Sequence, residues 1–275
     1  MEDLATLKNR LPNSLGNNDN PFQLLGADQG FDTKQQELVR VRYEDTGKWV
    51  LNSNEFISWK DGKGFDSQVL WISGQPGSGK SVLMSTIIEW ALGRASKSKK
   101  DVVVYFYFEA SRKDTARDAL SSLLGQLLSK DIKLPSSISS FLESYIQLRT
   151  GTESGSSPFN LNEVTSAFLT LSREFKSVTI CMDGLDECSD IQDLLRLLER
   201  VLESSCRLVV ASRPWLEFHN FFEGQLNIEI TERNNKDIRQ YFKTFLKENP
   251  RLARMMGDNL SREAEDVIGP RSNGR

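Results

Sequence analysis

The architecture of this chain can be read outward from one segment, Val69-Leu70-Trp71-Ile72-Ser73-Gly74-Gln75-Pro76-Gly77-Ser78-Gly79-Lys80-Ser81. The segment starts as an apolar run, turns through a loop rich in glycine, and leads into residues 81–92, where apolar side chains recur at helical spacing. It therefore predicts a buried strand, a tight loop and a helix. Such a loop suits a phosphate group, because its backbone amides and the positive pole of the helix both face the anion.

Each residue of the loop has a chemical role if the ligand is a nucleoside triphosphate. The three glycines allow tight backbone turns. Lys80 supplies a cation for the β and γ phosphates, and the Ser81 hydroxyl supplies a ligand for Mg²⁺. The candidate nucleotide-binding residues are Gly74, Gln75, Pro76, Gly77, Ser78, Gly79, Lys80, Ser81 and Val82. The alternative is a glycine-rich turn that merely starts a helix, but the strand before it and the helix after it favour a nucleotide site.

An acidic block follows the apolar run at residues 178–182. Asp183 stands at the end of this predicted strand, where a carboxylate can bind the Mg²⁺ of a bound nucleotide. Asp186 and Glu187 place two further acids where a water molecule is polarised for attack on the γ phosphate, and Glu187 is the preferred base. Alternatively, these two acids only cap the next helix or favour its first turn.

Arg213 follows another predicted strand, at residues 207–211. From the carboxyl edge of a sheet it could reach the γ phosphate and distinguish a triphosphate from a diphosphate. An arginine at a strand end can equally be a surface charge, and position alone does not decide between the two.

The alternation of strands and helices predicts the fold class. Further strands are expected at residues 102–108 and 226–230, and apolar helical faces lie between the strands. This order indicates an α/β fold with a doubly wound, mainly parallel five-stranded sheet and helices on both faces.

Four segments are expected along the chain. Residues 1–34 should be disordered or weakly ordered, and residues 35–66 should form a helical lead-in with a break at 52–54. Residues 67–250 form the core, which includes a flexible surface loop at 150–158. Residues 251–275 begin a following helical module.

Composition and charge exclude several classes of partner. A net charge of −3, with 38% hydrophobic and 27% charged residues, is typical of a water-soluble protein without general attraction to nucleic acid or membrane. Three cysteines are too few for a disulfide framework or a zinc cluster. No export signal or membrane span is evident, so we expect the chain in the cytoplasm. His219, the single histidine, is read as a structural or surface residue.

Taken together, the motifs resemble a known family. They are Thr46-Gly47-Lys48-Trp49-Val50-Leu51, the phosphate loop, Met182-Asp183-Gly184-Leu185-Asp186-Glu187 and Ala211-Ser212-Arg213-Pro214. Over about residues 40–250 the chain resembles the NACHT class of STAND signalling NTPases, and particularly the fungal NOD-like receptors related to vegetative incompatibility proteins.

The resemblance implies a nucleotide switch that rests with diphosphate, becomes oligomeric when a sensor permits triphosphate to bind, and resets by slow hydrolysis. It also implies a sensor role for Arg213 and a place for Trp49 in a lead-in that packs near the nucleotide. In full-length relatives, the partners would be other protein chains, including further copies. Members of this family carry effector and sensing modules that this sequence lacks, so a fragment is expected.

Three other readings remain. They are a constitutive ATPase motor, a small-molecule kinase, and a scaffold that binds nucleotide without hydrolysis. For the base, the stretch Asn235-Lys236-Asp237-Ile238 has its acid one place too early for the N-K-x-D element of GTPases, which favours ATP, with GTP as the alternative.

Overall fold

The computed structural model describes residues 25, 30–43, 46–62, 68–98, 100–149, 159–230, 234–252 and 254–256 of the 275-residue chain. Five strands form one parallel sheet in the order β2-β3-β4-β1-β5. The strands are β1 (Val69–Ser73), β2 (Asp101–Tyr107), β3 (Ser177–Asp183), β4 (Arg207–Ser212) and β5 (Leu226–Glu229). The predicted α/β class with a parallel five-stranded sheet is confirmed.

Helices precede, connect and follow the strands. They are α1 (Gly30–Val41), α2 (Asn54–Asp61), α3 (Lys80–Ala95), α4 (Ala116–Leu128), α5 (Ser136–Arg149), α6 (Leu161–Ser172), α7 (Ile191–Leu202), α8 (Leu216–Phe221) and α9 (Asn235–Glu248). Short 3₁₀ turns lie at Lys48–Asn52 and Leu185–Glu187. Within the described ranges, no helix combines the length and apolarity that a bilayer span requires.

The chain divides into two compact units. The first comprises residues 1–34 and 90–208, and the second comprises residues 35–89 and 209–275. Strands β2 and β3 pair in the first unit, with Val104 opposite Ile180. Strands β1 and β5 pair in the second, with Leu70 opposite Leu226.

The core of the first unit is formed by β2, β3 and the helices that pack against them. Every residue of β2 after Asp101 is buried. Since successive side chains of a strand point to opposite faces, this burial shows that both faces of β2 are covered. Helix α4 packs on β2 and also contacts α6 and α7.

The core of the second unit surrounds β1, whose five residues are all buried. Helix α2 contacts β1 and β5, and it contributes Phe56 and Trp59, each 1% exposed. Ser53 caps α2, because its side-chain oxygen accepts a hydrogen bond from the Phe56 N–H at 3.2 Å. The break predicted at residues 52–54 therefore lies where the structure has one.

The structure also departs from the expected elements. The prediction of weak order is wrong at residues 30–34, because α1 begins at Gly30 and Phe31 packs edge-on against Tyr105 with ring centroids 5.3 Å apart. The lead-in has a second break, where Gly47 adopts a positive φ of 77°. Helices α5 and α8 were not predicted. The predictions for residues 1–24, 150–158 and 257–275 lie outside the described residues.

Candidate functional site

The loop between β1 and α3 requires glycine for two different physical reasons. Gly77 and Gly79 have φ values of 77° and 91°, in the region that other residues rarely adopt. Gly74 is limited by space instead, since a Cβ there would lie 2.6 Å from the Ser78 Oγ. The Ser78 N–H closes the turn by donating to the Gln75 carbonyl at 3.1 Å.

Lys80 begins α3 with its ammonium group folded back over this loop. Its Nζ donates to the carbonyl oxygens of Gly74 at 2.8 Å and Gln75 at 3.0 Å. These are neutral acceptors, and a phosphate oxygen is a stronger one because it is charged. The ammonium group is therefore already held beside the loop that would receive the anion.

The end of β4 lies beside the phosphate loop. The Gly74 N–H donates to the Ser212 carbonyl at 3.4 Å, and the Trp71 indole Nε1 donates to the Ser212 Oγ at 2.9 Å. Arg213 follows directly, and its guanidinium carbon lies 5.9 Å from the centroid of the Trp215 ring. The structure thus places the base of the Arg213 side chain next to the phosphate loop, while its charged end lies over an aromatic ring.

A cavity of about 490 Å³ opens beside the loop, a size within the usual range for small-molecule sites. Gly77, Ser78, Gly79 and the first turn of α3 form part of its wall. The remaining lining residues come from the end of α1, the turn after it, and α9: Val41, Arg42, Tyr43, Thr46, Gly47, Asn234, Asp237, Ile238, Tyr241 and Phe242. Of the predicted nucleotide-binding residues, Gly77, Ser78, Gly79 and Val82 line the cavity.

Sequence reasoning missed the walls formed by α1 and α9. The signal that could have found them is the row of aromatic residues in α9, Tyr241, Phe242 and Phe245, of which Tyr241 remains 45% exposed. Asn234 links this region to the loop, since its Nδ2 donates to the Ser78 carbonyl at 3.0 Å.

Gly47 and Asp237 make a short polar contact in this wall. The Gly47 N–H donates to Asp237 Oδ2 at 2.6 Å. Burial raises the pKa of the Asp237 carboxyl, while the Gly47 N–H and the nearby Trp49 indole oppose that rise. Trp49 lies beside this pair, and its indole Nε1 is buried without full hydrogen-bond geometry to any acceptor. Trp49 is not one of the residues that line the cavity.

The acidic block lies in the first unit, at the end of β3. Asp183 is only 5% exposed. Burial of the Tyr107 hydroxyl raises its pKa, and the nearby charge of Asp183 raises it further. Gly184 turns the chain with a φ of 72°, and a Cβ there would lie 3.2 Å from the Phe108 carbonyl oxygen. The Phe108 N–H donates to the Asp183 carbonyl at 3.0 Å. Together these contacts hold the end of β3 close to the end of β2.

Asp186 and Glu187 lie in the 3₁₀ turn that follows. Asp186 is buried at 9% exposure, and Glu187 Oε2 accepts a hydrogen bond from the Ala110 N–H at 2.9 Å. The next helix, α7, begins only at Ile191 and has Asp190 at its N-cap position. Asp186 and Glu187 therefore do not cap α7.

The structure brings the predicted residues together in two groups. The phosphate loop, the base of Arg213 and the cavity belong to the second unit, and Asp183, Asp186 and Glu187 belong to the first. Ser81 is half-buried in the first turn of α3, and Gln75 and Pro76 are exposed on the loop.

Comparisons with known proteins give a family and several similar chains. The family model described as "Nephrocystin 3, N-terminal" matches residues 45–213. The vegetative incompatibility protein HET-E-1 of Podospora anserina is 27% identical over 242 residues, which cover 80% of this chain but only 17% of HET-E-1. The resemblance to NACHT-type NTPases of vegetative incompatibility proteins is thereby confirmed.

Two solved structures share a general similarity. The ORC1 protein of Aeropyrum pernix, solved in complex with DNA, is 16% identical with a TM-score of 0.46, over 93% of this chain and 66% of that chain. The ORC2 protein of Aeropyrum pernix, solved as ADPNP-ADP complexes, is 13% identical with a TM-score of 0.42, over 90% of this chain and 56% of that chain.

Proposed function

Because the chain belongs to the family described as Nephrocystin 3, N-terminal, we propose that this nucleotide-binding NTPase domain is a signalling switch that prefers ATP and hydrolyses it slowly with Mg²⁺. The proposal rests on the geometry of the phosphate loop. It combines glycines that the geometry requires, an ammonium group within 3.0 Å of the loop carbonyls, and an adjoining cavity of about 490 Å³.

Binding would begin with the polyphosphate chain. The N–H groups at the start of α3 and the positive helix pole attract the anion, and Lys80 exchanges the carbonyls of Gly74 and Gln75 for phosphate oxygens. The charge-assisted bonds to phosphate are stronger than the bonds they replace. The first cation that the phosphates meet is therefore already in place, and it needs only a small movement.

Mg²⁺ would accompany the nucleotide and neutralise part of its charge. We assign the Ser81 hydroxyl and the Asp183 carboxylate as its protein ligands, since Mg²⁺ prefers oxygen ligands and keeps several of its waters. The low exposure of Asp183, 5%, supports this role because a buried carboxylate gains from a cation.

The position of Glu187 supports the proposal of slow hydrolysis. A general base must reach a water molecule with a free acceptor, and one oxygen of this carboxylate already accepts the Ala110 N–H at 2.9 Å. Arg213 would sense the γ phosphate once its guanidinium leaves the Trp215 ring. Both side chains would have to reorient, which supports a switch with slow turnover more than a motor.

The signalling role rests on similarity to HET-E-1, which is named for vegetative incompatibility and of which this chain spans 17%. A γ phosphate with its Mg²⁺ biases a two-state protein toward the arrangement that satisfies their charges. We propose that the protein in that arrangement binds other protein chains, including further copies of itself. We also propose that it acts in the cytoplasm.

Nucleotide titration of the purified chain tests the proposal. Labelled ATP, ADP and GTP are titrated with and without Mg²⁺ against the natural chain and Lys80→Ala. Lys97→Ala is the control, because Lys97 is exposed in the turn that follows α3. Loss of the ammonium group removes charged hydrogen bonds worth about 1.5–3 kcal/mol each, so Lys80→Ala should bind ATP roughly 100-fold more weakly or worse. Equal affinity of Lys80→Ala and the natural chain would refute the proposal.

A further inference from the structure

Asp237 places a carboxylate in the wall of the cavity. Within the described lining it is the one carboxylate, and the guanidinium group of Arg42 is engaged elsewhere, by Glu89 at 2.6 Å and Thr86 at 2.9 Å. The Gly47 N–H fixes Asp237 Oδ2 in place at 2.6 Å. The cavity therefore presents an oriented acceptor among largely apolar neighbours.

The contacts between Gly47 and α3 fix the position of this acceptor along the cavity. An ideal Cβ on Gly47 would lie 3.5 Å from Leu83 Cδ2 and 2.9 Å from Thr86 Oγ1, so Gly47 packs against the first two turns of the helix. Leu83 stands four residues beyond Gly79, which is about 6 Å along the helix axis. The phosphate loop thus forms one end of the cavity, and the Gly47–Asp237 wall lies further along, where a ribose would carry a base.

The chemistry of the base end selects its ligand. An ionised carboxylate only accepts hydrogen bonds, and in apolar surroundings it favours a ligand that donates one. Val82, Ile238 and Phe242 supply apolar surface for a flat ring. The donors that a purine carries outside its ring are the 6-amino group of adenine and the 2-amino group of guanine.

We propose that the Asp237 carboxylate accepts a hydrogen bond from the exocyclic amino group of the bound purine and so selects the base. This inference rests on the proposed nucleotide-binding function. The sequence spacing set this acid aside, because it stands one place early for an N-K-x-D element. The fold nevertheless places Asp237 in the wall of the cavity, beside Gly47.

Matched nucleotide pairs test the role of Asp237. ATP is compared with purine riboside triphosphate, which lacks the 6-amino group, and GTP with inosine triphosphate, which lacks the 2-amino group. Given the proposed preference for ATP, the natural chain should bind ATP about 10-fold or more tightly than its 6-unsubstituted partner, as expected for a hydrogen bond to a charged group.

Asp237→Asn separates recognition from structure. The amide oxygen can still accept the Gly47 N–H, while its NH₂ group offers donors where the base needs an acceptor. The ATP preference over purine riboside triphosphate should then fall to roughly twofold or less, the affinity for the unsubstituted purine changing little. Asp193→Asn, an exposed acid on α7 that pairs with Arg196 at 2.7 Å, is the control and should leave the preference unchanged.

The other possible outcomes distinguish the role of Asp237 from nucleotide binding itself. Discrimination within the GTP pair alone would support the role of Asp237 and contradict the preference for ATP. Equal affinities within both pairs in the natural chain, or a preference that survives in Asp237→Asn, would overturn the inference while nucleotide binding itself stands. Failure of the natural chain to bind all four nucleotides would overturn the proposed function as well.

Discussion

Gly184 shows how a single residue shapes the acidic block. Its φ of 72° is unfavourable for residues with a side chain, and a Cβ would press against the Phe108 carbonyl oxygen at 3.2 Å. The contact involves backbone, which cannot rotate away as a side chain can. Glycine is therefore required here so that Asp183 and Glu187 can lie on either side of a tight turn.

We expect Gly184→Ala to destabilise the protein by about 1–3 kcal/mol, through backbone strain and the close contact with Phe108. Urea denaturation would measure the change in the free energy of unfolding. Gly93→Ala is the matched control, because Gly93 lies inside α3 with no atom within 4 Å of an added Cβ. That control should stabilise the protein by about 0.5–1 kcal/mol. Equal effects of the two substitutions would show that Gly184 is not constrained.

Glu187→Gln tests the residue assigned as the general base. A glutamine oxygen can still accept the Ala110 N–H, so the turn and nucleotide affinity should be preserved. Hydrolysis in a single turnover should slow by about 10²–10⁴-fold, because an amide does not take a proton from water. Glu203→Gln, an exposed residue at the end of α7, serves as control. Unchanged hydrolysis in Glu187→Gln would assign the base to another group.

At the scale of elements, the edge of the sheet explains why α4 is fixed in place. Strand β2 lies at the end of the strand order, so one side of its backbone has no neighbouring strand in the described sheet. Gln126 of α4 takes that position. Its Oε1 accepts the Tyr105 N–H at 2.9 Å and its Nε2 donates to the Tyr105 carbonyl at 2.7 Å. This side chain therefore pairs both backbone groups of Tyr105 at an edge where no described strand does so.

Gln126→Leu should therefore destabilise the protein more than the small change in side-chain volume would suggest. The substitution leaves a buried backbone donor and a buried acceptor of Tyr105 unpaired, at about 1–3 kcal/mol each. Urea denaturation measures the loss, with the exposed Gln192→Leu on α7 as the control. A loss below about 0.5 kcal/mol, the usual effect of surface substitutions, would mean that water or another group satisfies Tyr105.

For the whole molecule, the sequence predicts what local patterns encode. The strands were predictable because buried parallel strands are nearly continuous apolar runs, as in residues 102–107. The phosphate loop was predictable because its function needs glycine and lysine at set spacings. The short helix α8, of six residues, has too few turns to show a helical period.

The cavity could not be predicted in the same way. Its walls combine residues far apart in the chain, and the decisive contact joins Gly47 to Asp237 across 190 positions. No local period records such a pairing. The capping alternative for Asp186 and Glu187 likewise depended on where α7 begins, which helical periodicity locates to within only a few residues.

A crystal structure with a non-hydrolysable ATP analogue would show whether the phosphate loop holds a triphosphate. We expect phosphate oxygens within hydrogen-bond distance of the N–H groups of residues 77–81, with Lys80 Nζ moved from the carbonyls of Gly74 and Gln75 onto the phosphates. An analogue bound elsewhere, or a loop that keeps Lys80 on those carbonyls with no phosphate beside it at saturating analogue, would refute nucleotide binding at this loop.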